Sequence, residues 1–220
     1  MKKLVLSLAM TVIAAVSASA QLTQGHVSYS VEMSTDNPQM EAMISMMQGS
    51  TFDIYFKDDF SKTVVKMGAM VTMSTITDGD SEEMLLLLEG MMGKKAIKST
   101  LADMKAEAAE VPEHEITLVD ETKEIEGYTC KKAIITDEDG NETVYWYTEE
   151  IEIKKGGQSY LSEEIPGFPL EFEVNQGGMI LSLTATNFDK KIKDADEVFD
   201  MHIPDGFDEM TLEQLQSMGM

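Results

Sequence analysis

Apolar and polar side chains alternate along much of the chain. Val27, Tyr29, Val31 and Met33 are separated by Ser28, Ser30 and Glu32. Phe52, Ile54 and Phe56 alternate with Asp53 and Tyr55, and Leu170, Phe172 and Val174 with Glu171 and Glu173. Phe199, Met201 and Ile203 alternate with Asp200 and His202. Successive side chains of a strand point to opposite faces, so this period of two predicts strands with one apolar face and one wet face. Residues 71–76, 84–88, 116–119, 128–135, 143–148 and 179–188 predict further strands with a less regular pattern. Asp78-Gly79, Asp139-Gly140-Asn141, Gly156-Gly157 and Gly177-Gly178 supply turns between them. Such close spacing predicts antiparallel pairing, because parallel neighbours need long crossovers.

Helical periodicity is scarce. Over residues 38–48, Met40, Met43, Ile44 and Met47 form one apolar stripe, with Asn37-Pro38 as a start signal and Gly49 as a stop. Residues 101–110 are Ala-rich and helix-permissive, and Thr211 with Gln214 reads as a capping box for a short C-terminal helix. These elements predict a mainly β (α+β) fold. The sheet is expected to be large, curved and antiparallel, with one or two helices against its apolar face, since a sheet this long curls or closes. No compositional break divides residues 21–220, which read as a single β domain.

Residues 1–20 read as a cleavable signal peptide. Lys2 and Lys3 precede an apolar run from Leu4 to Val16, and Ala18-Ser19-Ala20 fits a peptidase site, so cleavage is expected after Ala20. The run is too short to span a bilayer, and Gln21 stands where a lipoprotein would carry Cys. The expected product is periplasmic, or secreted beyond, without a stable membrane anchor.

Charge narrows the partners. The chain has 40 Asp and Glu against 17 Lys, no Arg, and a formal charge of −23. Such a chain does not track a nucleic-acid backbone, and without Arg it cannot clamp phosphate or carboxylate in a bidentate fork. The acid excess reads as a solvating surface, with a face for Ca²⁺ or for a basic partner as the sharper alternative. Cys130, the lone cysteine, sits in a strand pattern and reads as a small core residue.

Catalytic motifs are missing: no Gly-x-Ser-x-Gly, no phosphate loop, no dinucleotide fingerprint and no paired cysteines. His26, His114 and His202 are isolated in sequence, and no metal or cofactor is expected. The residual catalytic candidate is His202 with Asp200 or Asp205, but alternation puts His202 and Asp200 on a wet face, which argues against general-base work. Methionine is abundant, 19 residues including Met1 and Met10 of the leader. Core filling, an adaptable apolar groove and thioether coordination of Cu(I) are its three readings.

Four segments of the second half carry a family resemblance. They are Gly127-Tyr128-Thr129-Cys130-Lys131-Lys132-Ala133, Tyr145-Trp146-Tyr147-Thr148, Pro166-Gly167-Phe168-Pro169-Leu170, and Phe199 through Ile203-Pro204-Asp205-Gly206-Phe207. Their order resembles an uncharacterised family of secreted bacterial domains in the LolA/LolB-like superfamily of lipoprotein carriers. The resemblance implies a mainly β (α+β) fold, an open, curved antiparallel half-barrel with one to three helices covering the concave face, and an apolar cargo. The lipoprotein carrier of that superfamily depends on an arginine that this chain lacks, so the implication is apolar-ligand binding in general. The expected function is thus a periplasmic, non-enzymatic binding protein for an apolar or acyl-chain ligand. Met40, Met43, Met47, Phe52, Ile54, Phe56, Val71, Met73, Phe172 and Val174 are the expected lining. The alternative is an envelope structural or interaction protein with a protein partner and no small ligand.

Overall fold

Turn chemistry and strand alternation produce two antiparallel meanders. In the computed structural model, residues 22–91, 93–103, 114–152, 165–176 and 178–217 are described; the signal peptide, the Gly156-Gly157 turn and most of the Ala-rich segment lie outside them. The first meander comprises β1 (Gln24–Thr35), β2 (Thr51–Lys57), β3 (Phe60–Met67), β4 (Val71–Asp78), β5 (Glu83–Gly90) and β6 (Gly93–Thr100). The second comprises β7 (His114–Ile125), β8 (Tyr128–Asp137), β9 (Glu142–Thr148), β10 (Phe168–Gln176) and β11 (Met179–Asp189). The β7–β8 hairpin turns on Glu126 and Gly127, both at positive φ, as a two-residue turn matched to strand twist requires. Pairing of β1 with β11 joins the meanders, and a two-residue β12 (Asp208–Glu209) lies parallel to β6. The result is one open, curved 12-stranded sheet in the order β12-β6-β5-β4-β3-β2-β1-β11-β10-β9-β8-β7.

Cross-strand register decides which apolar residues share a face. Val27, Tyr29, Phe52, Ile54, Phe56, Phe172, Leu183 and Ala185 project from one side, the Tyr29 face, and form the main core. Curling brings further residues to it: Leu22 bridges to Ile151 just past β9, and Ile151, Phe168, Tyr128 and Cys130 close over the Phe56 end. A second core lies on the opposite side, the His26 face. There Ile76, Leu85 and Ala96 are covered by Met201, Ile203 and Phe207.

That second core corrects one expectation. Residues 199–203 alternate as a strand does but pair with no strand among the described residues. They form a strap in which Phe199 meets Phe60 of β3 and Met201 and Ile203 lie on β4–β6, so periodicity reports one-sided burial here and not ladder formation. β3 and β6, whose polar residues blur the alternation, are strands the pattern did not mark.

The helices are shorter than expected. α1 covers only Glu41–Met46 and contains no buried residue. Asn37 Oδ1 accepts the Gln39 N–H at 3.0 Å, so the expected cap closes a turn ahead of the helix and leaves α1 without a side-chain cap. α2 (Ala195–Val198) also buries no residue. In α3 (Leu212–Ser217), the Thr211 N–H donates to Gln214 Oε1 at 2.9 Å and the Gln214 N–H donates to Thr211 Oγ1 at 3.2 Å, the reciprocal bonds of the expected capping box. Each helix is under two turns, and a helical cover over the Tyr29 face is not seen among the described residues.

Candidate functional site

The strand members of the expected lining all lie on the Tyr29 face. Tyr29 pairs with Phe52, Phe52 with Val65 and Val65 with Met73, while Ala185 and Leu183 carry the same face across to Phe172. Directly paired residues project to one side, as do residues two apart in a strand, which adds Ile54, Phe56, Val71 and Val174. Depth then divides them. Phe52, Ile54, Phe56 and Phe172 are buried and hold one another: Phe172 meets Tyr29 edge-on at 5.9 Å and stacks on Tyr145 at 5.5 Å. Val71 and Met73 are half-buried and Val174 is 38% exposed. Of the helical methionines, Met40 is half-buried and Met43 is exposed, whereas Met47 is buried at the C-cap, beside the β3–β4 turn. The face is therefore filled by its own aromatics towards Phe56 and carries incompletely covered apolar side chains at the α1 end, where Met33, Leu181 and Val174 lie in one cross-strand row.

The His26 face holds a polar cluster that sequence reading missed. His26 and Ser28 on β1 are paired with Tyr55 and Asp53 on β2, and with Asp189 and Asn187 on β11. Asp53 Oδ1 accepts from Ser28 Oγ at 2.7 Å and lies 2.9 Å from His26 Nε2; Asp189 lies 3.7 Å from Nδ1. The imidazole stacks flat on Tyr55, with centroids 4.0 Å apart. Burial pushes the Asp53 carboxyl up, but hydrogen bonds from His26 and Ser28 and the nearby imidazole together outweigh it and hold the group below its ordinary range. Ser28 and Asp53 meet the same imidazole nitrogen, and the hydroxyl donates to the carboxylate. The hydroxyl proton goes to Asp53 and not to the ring, and Asp189, on the Nδ1 side, is beyond hydrogen-bond distance at 3.7 Å, so the cluster is arranged as a structural clasp across three strands. Alternation already set Ser28 and Asp53 opposite the apolar residues of their strands; only the register could show that they meet His26 and Asp189.

The other candidate groups are placed less favourably for chemistry. His202 Nδ1 lies 2.6 Å from Asp200 Oδ1, but the ring is almost wholly exposed. The pair sits at an open groove of about 680 Å³, lined also by Asp58, Asp59, Asp78, Asp80 and Glu83. Among the described residues no group of three or more His, Cys, Asp or Glu is arranged to hold a metal ion. Cys130 is fully buried, as expected, and burial pushes its thiol up to about 12, which removes it as a nucleophile. No helix among the described residues is long and apolar enough to cross a membrane.

A family model described as N-glycanase peptide, N-terminal domain, matches residues 91–212, just over half of the chain. No curated protein matches it. Among solved structures, the chain is similar to the Mycobacterium tuberculosis lipoprotein LppX, at 11% identity over 78% of this chain and 89% of that one, with a TM-score of 0.38. It is similar to MucB at 13% identity over 84% of this chain and 60% of that one, TM-score 0.34. It is also similar to the LolA superfamily protein NE2245 from Nitrosomonas europaea, at 9% identity over 81% and 90%, TM-score 0.23. One of the three is described as a LolA superfamily protein, and TM-scores of this size leave the function to be argued from the chain's own residues.

Proposed function

The chain belongs to the family described as N-glycanase peptide, N-terminal domain, and we propose that it is an exported, non-catalytic binding module whose Tyr29 face receives an apolar or acyl-chain ligand. The observation that carries this reading is the incompletely covered band on that face at the α1 end. Met33, Leu181, Val174, Val71, Met73 and Leu88 share the face by register, and each is half-buried or exposed, whereas Tyr29, Leu183 and Phe172, further along β1, β11 and β10, are buried. Each methylene that a ligand buries there contributes about 0.8 kcal/mol, so an acyl chain gains affinity from length alone. The proposed export follows from residues 1–20, and residues 21–220 are proposed as one domain. The structure of the sheet supports that extent: β6 and β12 lie at one edge, β7 to β11 in the other half, and β1 to β5, outside the family match, hold them together.

The family description names an N-glycanase, but among the described residues no cluster is set for hydrolysis. His26 is held by Asp53, Cys130 is inert, and His202 lies in solvent. A second reading, an interaction protein without a small ligand, draws on the burial of Phe52, Ile54, Phe56 and Phe172, which fill the Phe56 half of the face themselves. Native mass spectrometry of protein purified from the periplasm, followed by titration with a fluorescent fatty acid, separates the two. Saturable uptake that Met73→Glu abolishes supports the proposed function. A clean unliganded mass with no uptake overturns it in favour of the second reading.

A further inference from the structure

We propose that the outer edge of β7 is a docking site for a basic, extended segment of a partner protein, which would add to the sheet as a further strand. The two ends of the sheet are treated differently. At one end, β12 lies along β6: Met210 N–H donates to Ala96 O at 2.9 Å and Lys95 Nζ pairs with Asp208 at 2.7 Å. At the other end β7 has β8 as its only neighbour among the described residues, and its ladder runs regularly over His114–Val119 before a bulge at Asp120 and Glu121. An open edge presents a row of backbone donors and acceptors to any strand of suitable side chains.

Those side chains specify the partner. Glu115, Asp120, Glu121 and Glu124 are all exposed on β7, and Leu118 is 55% exposed among them. The lysines of this region are already engaged. Lys123 pairs with Glu171 at 2.6 Å and lies 4.5 Å from the Trp146 ring, and Lys132 pairs with Glu121 while facing the same indole. Glu115 and Asp120 have no ion-pair partner among the described residues, so the edge is anionic with an apolar centre. A second copy of β7 would set acid against acid. A strand alternating lysine with an aliphatic residue matches the edge in backbone, charge and apolar contact, and the chain's formal charge of −23 draws it in.

The test uses full-length mature protein and three synthetic peptides: alternating Lys and Val, the same charge with Pro at alternate positions, and alternating Glu and Val. The Lys–Val peptide should bind saturably, about tenfold or more tighter than the Pro peptide, which cannot pair as a strand. Hydrogen exchange of the β7 amides should slow in its presence. Glu115→Lys with Asp120→Lys should weaken binding by about tenfold or more while the thermal midpoint stays unchanged. The inference is overturned by equal binding of the Pro peptide, by protection at the groove of Asp58 and Asp78 in place of β7, by self-association of the free protein through β7, or by no saturable binding.

Discussion

Replacing two residues that share one strand and one face measures where the core ends and the proposed groove begins. Phe172 and Val174 are two apart on β10, but Phe172 is 4% exposed and Val174 is 38%. Phe172 also contacts Tyr29, Phe52 and Tyr145, at centroid distances of 5.9, 6.5 and 5.5 Å. Phe172→Ala removes a buried ring from an aromatic cluster whose backbone is fixed by ladders on both sides, so the void cannot collapse. Loss of about 3–5 kcal/mol is expected. That is a large share of a typical total of about 5–15 kcal/mol, and for a domain of this length it lowers the thermal midpoint by roughly 6–20 °C. Val174→Ala removes two methyl groups already partly in water and should cost under about 1 kcal/mol. Trp146, the only tryptophan, lies on β9 opposite Glu171 and reports unfolding in urea from the strand beside both sites. Fluorescent fatty-acid uptake supplies the second reading, with Val174→Ala weakening uptake more than it weakens the fold. Equal destabilisation by the two substitutions, or a loss under about 1 kcal/mol for Phe172→Ala, would refute the division of this face into core and groove.

Three further outcomes are expected. Because the Asp53 carboxyl titrates below its ordinary value in the folded state, its stabilisation is present above the unfolded pKa and disappears as pH falls through the folded one. Asp53→Asn should therefore flatten the thermal midpoint against pH across the acidic carboxylate range; an unchanged profile removes the clasp as a source of acid sensitivity. Gly167→Ala should destabilise by about 1–3 kcal/mol in the same urea titration, because a Cβ there would lie 2.5 Å from Thr148 O and 2.9 Å from Thr148 C, backbone atoms of β9's end that cannot yield separately. Cys130, with its thiol near 12, should resist a thiol-reactive dye at pH 8 until the protein is denatured, and then take up one equivalent; rapid labelling of native protein would contradict its burial.

Much was legible in the chain itself, and the reason is local. A strand with one face in water must alternate, so β1, β2 and β10 could be read from residues such as Val27, Tyr29, Phe52 and Phe172 without a partner in view. A capping box is complete within four residues, so Thr211 and Gln214 announced α3. The burial of Cys130 followed from its strand neighbours. The membership of the Tyr29 face was also legible strand by strand, which is why seven strand residues of the expected lining project to one side.

What the chain alone left open depends on pairings between distant segments. Alternation says that two faces differ but not which face of one strand meets which face of another. It could not show that His26, Ser28, Asp53 and Asp189 converge, or that residues 199–203 lie on β3–β6 as a strap and not in the sheet. Depth along a face was equally hidden, since Phe172 and Val174 obey the same period. Depth is set by the curl that brings Leu22 against Ile151 and closes the Phe56 end. That β7 has β8 as its only neighbour among the described residues is likewise a property of strand order. Local sequence fixes side-chain direction within an element, because that is backbone geometry. Register, curl and order come from the long-range pairing of β1 with β11, and that pairing decided which apolar residues became core and which stayed incompletely covered.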